Sequence, residues 1–114
     1  MNPKIHVLIL NWNGSKYLDK CINSITENNY SNYDVTIIDN NSTDNSLEKI
    51  KKLGIPFISH ARNYKYAKGY NEAIFNFKND DSDYYLLLNN DIICDSNLIN
   101  SFIEGINNYG SNCI

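Results

Sequence analysis

The 114-residue chain reads as one α/β domain, an open parallel sheet with helices on both faces. Three observations predict this. Four short apolar runs alternate with four segments of helical spacing, the connections are short, and polar residues gather just after the runs. Alternation of this kind closes as parallel strands with crossover helices, and ligands of such sheets bind outside the carboxyl ends of the strands.

Each element has its own signal. Lys4–Leu10 is a nearly continuous apolar run rich in β-branched residues, as expected of a strand buried on both faces, and Asn11–Gly14 breaks it. Tyr17, Leu18, Cys21, Ile22 and Ile25 then recur at helical spacing, with Ser15 as N-cap. Tyr33–Ile38 is the second strand. A helix through Leu47, Ile50 and Leu53 follows, stopped by Gly54 and Pro56. Phe57 and Ile58 make a short third strand. The spacing predicts a helix over Ala67–Phe77, with Ala67, Tyr70, Ala73, Ile74 and Phe77 facing inward. Tyr84–Leu88 is the fourth strand, and Leu98, Ile99, Phe102, Ile103 and Ile106 mark a last helix ending near Gly110. No internal repeat or linker divides residues 1–114, so a single domain is expected.

Composition narrows the function. Hydrophobic residues are 42% and charged residues 20%, ordinary for a folded domain, and the net charge of -3 comes without a run of Lys or Arg to bind nucleic acid. No stretch approaches the roughly 20 apolar residues that span a bilayer, and Met1–Lys4 does not open a signal peptide. Cys21, Cys94 and Cys113 fit neither a disulfide framework nor a C-x-x-C knuckle, and read as reduced, mostly buried thiols of a cytoplasmic protein.

The strand ends carry the chemistry. No G-x-G-x-x-G follows the first strand and no phosphate-cradling P-loop motif occurs, which argues against a dinucleotide fold or a P-loop enzyme. A receiver-type phosphoacceptor pocket would want acidic residues after the first strand, where only Asn11 and Asn13 stand. Asp39 ends the second strand, where its carboxylate can accept from a base N–H or a ribose hydroxyl. Trp12 can stack on a base, worth about 1–3 kcal/mol. The competing readings are that Trp12 plugs the core and Asp39 caps a turn. Ser42 and Asp44 read first as caps of the following helix. Asn89-Asn90-Asp91, after Leu86–Leu88, suits a hard cation that takes few carboxylates and completes its shell with phosphate oxygens and water.

Taken together, Val7–Gly14, Ile38–Ser46, Asn63 with Gly69-Tyr70-Asn71, and Leu86–Asp91 match in order and spacing the family 2 glycosyltransferases. In style they resemble the rhamnosyltransferase-like enzymes of surface polysaccharide synthesis. The resemblance covers nearly the whole chain and implies the N-terminal, nucleotide-sugar-binding half of a Rossmann-like GT-A fold, truncated at its C-terminal end. It implies that Asn11, Trp12 and Asn13 line the base and ribose pocket, with Asp39 on the base. Asn63, Gly69 and Asn71 border the ribose and diphosphate. Asn89, Asn90 and Asp91 stand in the place of the family's D-x-D motif, with Asp91 holding Mg²⁺ or Mn²⁺. Asn89 departs from that motif as a neutral ligand.

The implied reaction is inverting transfer from a nucleotide diphosphate sugar to a glycan or lipid-linked acceptor. Its base lies in the second half, beyond Ile114, so this chain is expected to bind donor without completing transfer. A cytoplasmic location is expected, at the inner face of the membrane for a longer protein that associates peripherally through its further portion. The alternative is a non-catalytic nucleotide-binding or regulatory module of the same fold.

Overall fold

The computed structural model describes residues 2–77 and 80–110. The chain runs β1 (Ile5–Asn11), α1 (Ser15–Thr26), β2 (Tyr33–Asp39), α2 (Ser46–Leu53), β3 (Phe57–Ser59), α3 (Lys65–Phe75), β4 (Tyr84–Asn89) and α4 (Leu98–Tyr109). All four strands are parallel, in the order β3-β2-β1-β4. Successive strands step outward from β1 through β2 to β3, and β4 then falls on the other side of β1. That reversal is the topological switch point, where open sheets place their ligands.

Alternation within the strands feeds two apolar layers. Ile5, Val7, Ile9 and Ile37 join Leu18, Cys21, Ile22 and Ile25 of α1, Ile50 of α2, and Ile99 and Ile103 of α4. On the other face Leu8 and Ile38 meet Tyr70 and Ala73 of α3. Burying each such side chain contributes about 1.5–3 kcal/mol, so β1, buried on both faces, is the spine of the domain. Gly54 ends α2 in the left-handed conformation (φ 70°), as its position after Leu53 predicts.

Some expected boundaries shift. Gly14, not Ser15, is the N-cap of α1, because the Gly14 carbonyl accepts from both Tyr17 and Leu18. Helix α3 starts at Lys65 and ends at Phe75, earlier than the apolar spacing implies, and Ala67 is exposed. Its start is fixed by polar side chains that a hydrophobic pattern does not report. Phe102 and Tyr17 are also exposed. β4 pairs only with β1 among the described residues, and a cavity of about 840 Å³ opens between it and α4, lined by Leu86, Ile99, Phe102 and Ile106. Among the described residues no helix is long and apolar enough to cross a membrane. Cys21 is a buried free thiol and Cys94 a half-buried one, while Cys113 lies outside the described residues.

At the end of the sheet away from the switch point, His6 is buried and bridges Asp80 (Nδ1···Oδ2 2.6 Å) and Thr36 (Nε2···Oγ1 2.7 Å). This ties the segment before β4 to β1 and β2.

Candidate functional site

The register aligns the carboxyl ends of the strands: Asn11 pairs with Asp39, Asp39 with Ser59, and Leu10 with Asn89. Asn11 links three of them. It is fully buried, its Nδ2 donates to Asp39 Oδ1 (2.9 Å) and Ser42 Oγ (3.2 Å), and its Oδ1 accepts from Asn90 Nδ2 (2.8 Å). Its carbonyl also accepts from the Asn40 N–H (2.8 Å). Gly14 makes room for this link, since a Cβ there would fall 2.0 Å from Asn90 Nδ2 and 2.5 Å from Asn11 Oδ1.

Asp39 is only 1% exposed and accepts three hydrogen bonds: Asn11 Nδ2 and Ser42 Oγ (2.7 Å) on Oδ1, and the Ser42 N–H (3.0 Å) on Oδ2. The contact expected between Asp39 and a base falls to Oδ2, which accepts a single bond and keeps a lone pair. As it stands, Asp39 shapes the loop that follows β2. Ser42 does not cap α2, because its hydroxyl is committed to Asp39 and to the Asn13 N–H (2.9 Å). Asp44 is not the N-cap either, a position Asn45 holds, but it bonds the first residues of two helices. Its Oδ1 accepts from the Ser46 N–H (2.9 Å) and its Oδ2 from the Ser15 N–H (3.1 Å), joining the first turns of α2 and α1. Burial pushes the Asp44 carboxyl up, but the bonds from Ser46 and Ser15 outweigh it and hold the carboxyl below its ordinary value.

Asn13 occupies the left-handed region (φ 51°), which asparagine tolerates better than most residues. Its Oδ1 accepts from the Thr43 N–H (2.7 Å) and the Asp44 N–H (3.2 Å), so Asn13, like Asn11, builds the rim. Trp12, between two inward-bonded neighbours, is turned out and is 51% exposed. That position rules out a core plug and leaves the ring free to stack on a ligand.

Past β3, the expected residues divide. Asn63 is half-buried and accepts from the Lys65 N–H (2.8 Å). Gly69 is buried, and its carbonyl lies 3.0 Å from His60 Nε2. A Cβ on Gly69 would come within 2.9 Å of Leu10 and 3.0 Å of Asn40 Nδ2, so its role is close packing of α3 on the strand ends. Asn71 is exposed on α3. The residue that the site-by-site sequence reading passed over is Asn40, within the D-N-x-S block. It is 1% exposed and joins this segment to β2. In the sequence, the signal was an Asn directly after the strand-end Asp39.

At the end of β4, Asn89 and, past it, Asp91 are exposed, while Asn90 is half-buried and bonded to Asn11. Trp12 and Asp91 each lie two residues past the paired Leu10 and Asn89, just beyond the ends of the neighbouring strands β1 and β4 at the switch point. Among the described residues no three His, Cys, Asp or Glu gather into a metal cluster. The donors present are hard oxygens, one carboxylate and one carboxamide, and these fit Mg²⁺ or Mn²⁺ completed by substrate phosphates. The nearby Cys21 is no ligand: burial pushes its thiol up to about 11, and it donates to the Asn89 carbonyl (3.5 Å).

Comparison with known proteins agrees with this geometry. An uncharacterized glycosyltransferase, alr2836, of Nostoc sp. is 42% identical over 50 residues, 44% of this chain and 16% of that protein. Among solved structures, the chain is similar to the mannosyltransferase PcManGT of Pyrobaculum calidifontis in complex with GDP-Man and Mn²⁺, with a TM-score of 0.85 at 13% identity. It is also similar to TarS 1–349 of S. aureus in complex with UDP-GlcNAc, with a TM-score of 0.78 at 19% identity. Each likeness covers 93% of this chain and about a third of the other (33% and 32%), and shows the GT-A-like α/β fold. Residues 6–114 match the family described as glycosyl transferase family 2, and the chain belongs to that family.

Proposed function

We propose that this chain is the donor-binding portion of a metal-assisted, inverting glycosyltransferase of the rhamnosyltransferase-like kind. It acts on a nucleotide diphosphate sugar and a glycan or lipid-linked acceptor in surface polysaccharide synthesis, at the cytoplasmic face of the membrane. The observation that carries the reading is the Asn11 link, which draws the ends of β1, β2 and β4 together at the switch point. It leaves Trp12 and Asp91 exposed just past the ends of the adjacent strands β1 and β4. The two structural neighbours, solved with UDP-GlcNAc and with GDP-Man and Mn²⁺, support the donor class.

In this reading Trp12 stacks on the base, and the loop ordered by Asp39, Ser42 and Asn13 walls the base and ribose. Asn63 and Asn71 border the ribose and diphosphate beside the close-packed Gly69. Asp91, aided by the Asn89 amide, would hold the divalent ion. When bound, that ion neutralises charge on the departing diphosphate. Attack by the acceptor hydroxyl on the opposite face needs a carboxylate base, and none of the residues placed here takes that role. The neutral Asn89 favours, as a second reading, a non-catalytic nucleotide-binding module. Sugar transfer by a longer polypeptide that carries this domain separates the two.

Calorimetric titration with uridine, thymidine and guanosine diphosphates, with and without Mn²⁺, tests the proposal. One of the three should bind, more tightly with Mn²⁺, and Asp91→Ala should abolish that metal-dependent gain. A gain that persists in Asp91→Ala would place the ion elsewhere.

A further inference from the structure

Lys65 is one of three non-glycine residues with positive φ (66°) among the described residues, and the only one at the start of a helix. For a long side chain this conformation costs on the order of 1–2 kcal/mol, and it persists only where its surroundings over-determine it. Three hydrogen bonds do so here. Asn63 Oδ1 accepts from the Lys65 N–H (2.8 Å), Asn40 Oδ1 accepts from the Tyr64 N–H (3.1 Å), and Asn40 Nδ2 donates to the Lys65 carbonyl (2.9 Å). Asn40 is thus a clamp with one jaw on each side of a peptide unit, and its own N–H is fixed to the Asn11 carbonyl. The turn it holds is cationic. Arg62 and Lys68 each lie 5.1 Å from the centre of the Tyr64 ring, and Arg62, Lys65 and Lys68 are all exposed. Nothing about Asn40 itself is open to a ligand.

We infer that Asn40 is a positioning residue: through the turn at 63–65 it couples the Asn11 link to the cationic side of the site, and sets affinity for the donor diphosphate. The inference rests on the donor-binding reading above. Its logic is chemical. A nucleoside diphosphate is a compact polyanion, and cations on long, flexible side chains bind it well only if their backbone is fixed. The carboxamide is required because one end must donate and the other accept; neither Asp nor Leu, of similar size, does both.

The test compares Asn40→Asp and Asn40→Ala with the unaltered protein in nucleoside diphosphate affinity with Mn²⁺, amide hydrogen exchange without nucleotide, and urea unfolding. Asn40→Asp keeps the acceptor for Tyr64 but loses the donor to Lys65, and serves if Asn40→Ala does not fold. Affinity should fall about tenfold in either folded variant, and exchange at Tyr64 should quicken in Asn40→Ala alone. In a Lys65→Gly background, where the left-handed turn carries no steric cost, the loss caused by Asn40→Asp should shrink. A role confined to fold stability would lower the unfolding midpoint and leave the affinity of the folded protein unchanged; that outcome overturns the inference. If the unaltered protein binds no nucleoside diphosphate, the donor-binding reading fails and the inference with it.

Discussion

Asn11 is fully buried, and its amide is shared among Asp39, Ser42 and Asn90. Truncating it would leave a buried carboxylate short of one donor and an Asn90 amide without its acceptor. Asn11→Ala should therefore destabilise the domain by about 2–4 kcal/mol in urea unfolding. Trp12, between Asn11 and Asn13, behaves differently because it is half exposed. Trp12→Ala should change stability by no more than about 0.5 kcal/mol, yet lower nucleoside diphosphate affinity about tenfold or more through lost stacking. If Trp12→Ala unfolds the protein while sparing affinity, the ring is a packing residue after all. At this scale the residue types of the site were legible in the chain, but their division of labour was not. Asn13 and Asp39 look like ligand contacts in sequence, and in the structure their side chains also build the loop after β2. Whether a polar group at a strand end faces a ligand or a neighbouring loop depends on partners 28 to 31 residues away.

Among the elements, β1 is bound to its surroundings by a buried polar bridge as well as by apolar packing. His6 joins Thr36 on β2 to Asp80 before β4. Burial pushes the Asp80 carboxyl up, while hydrogen bonds from His6 and Ser82 outweigh it and hold the carboxyl below its ordinary value. A carboxyl depressed in the folded state contributes stability that is present above its unfolded value, about 3.9. That stability is lost as pH falls through the folded value. The urea midpoint should accordingly fall between about pH 5 and pH 2, and Asp80→Asn should flatten that fall. An unaltered acid limb in Asp80→Asn would mean that other carboxyls carry it. The apolar spacing located every strand and helix, because all of them except the three-residue β3 bury apolar side chains in the core. It misplaced the start of α3, where Asn40 and Asn63 rather than hydrophobic side chains fix the chain. It also turned Ala67 inward, although Ala67 is exposed on the first turn of α3.

For the whole molecule, the alternation of four strands and four helices was enough to assign a parallel α/β sheet. The strand order β3-β2-β1-β4 was not readable from it. That order matters because the reversal at β1 is what brings Asn11, Asp39 and Asn90 to one edge. The domain spans about a third of its solved neighbours' length, and β4 presents Leu87 and an apolar groove beside α4. The central claim concerns donor binding. Trp12 is the sole tryptophan, so its fluorescence reports the proposed pocket alone. Titrated with uridine, thymidine and guanosine diphosphates in the presence of Mn²⁺, it should show a saturable change with at least one of them, weakened when the metal is chelated. No response to any of the three would contradict the assignment of the strand-end edge as a nucleotide-sugar site.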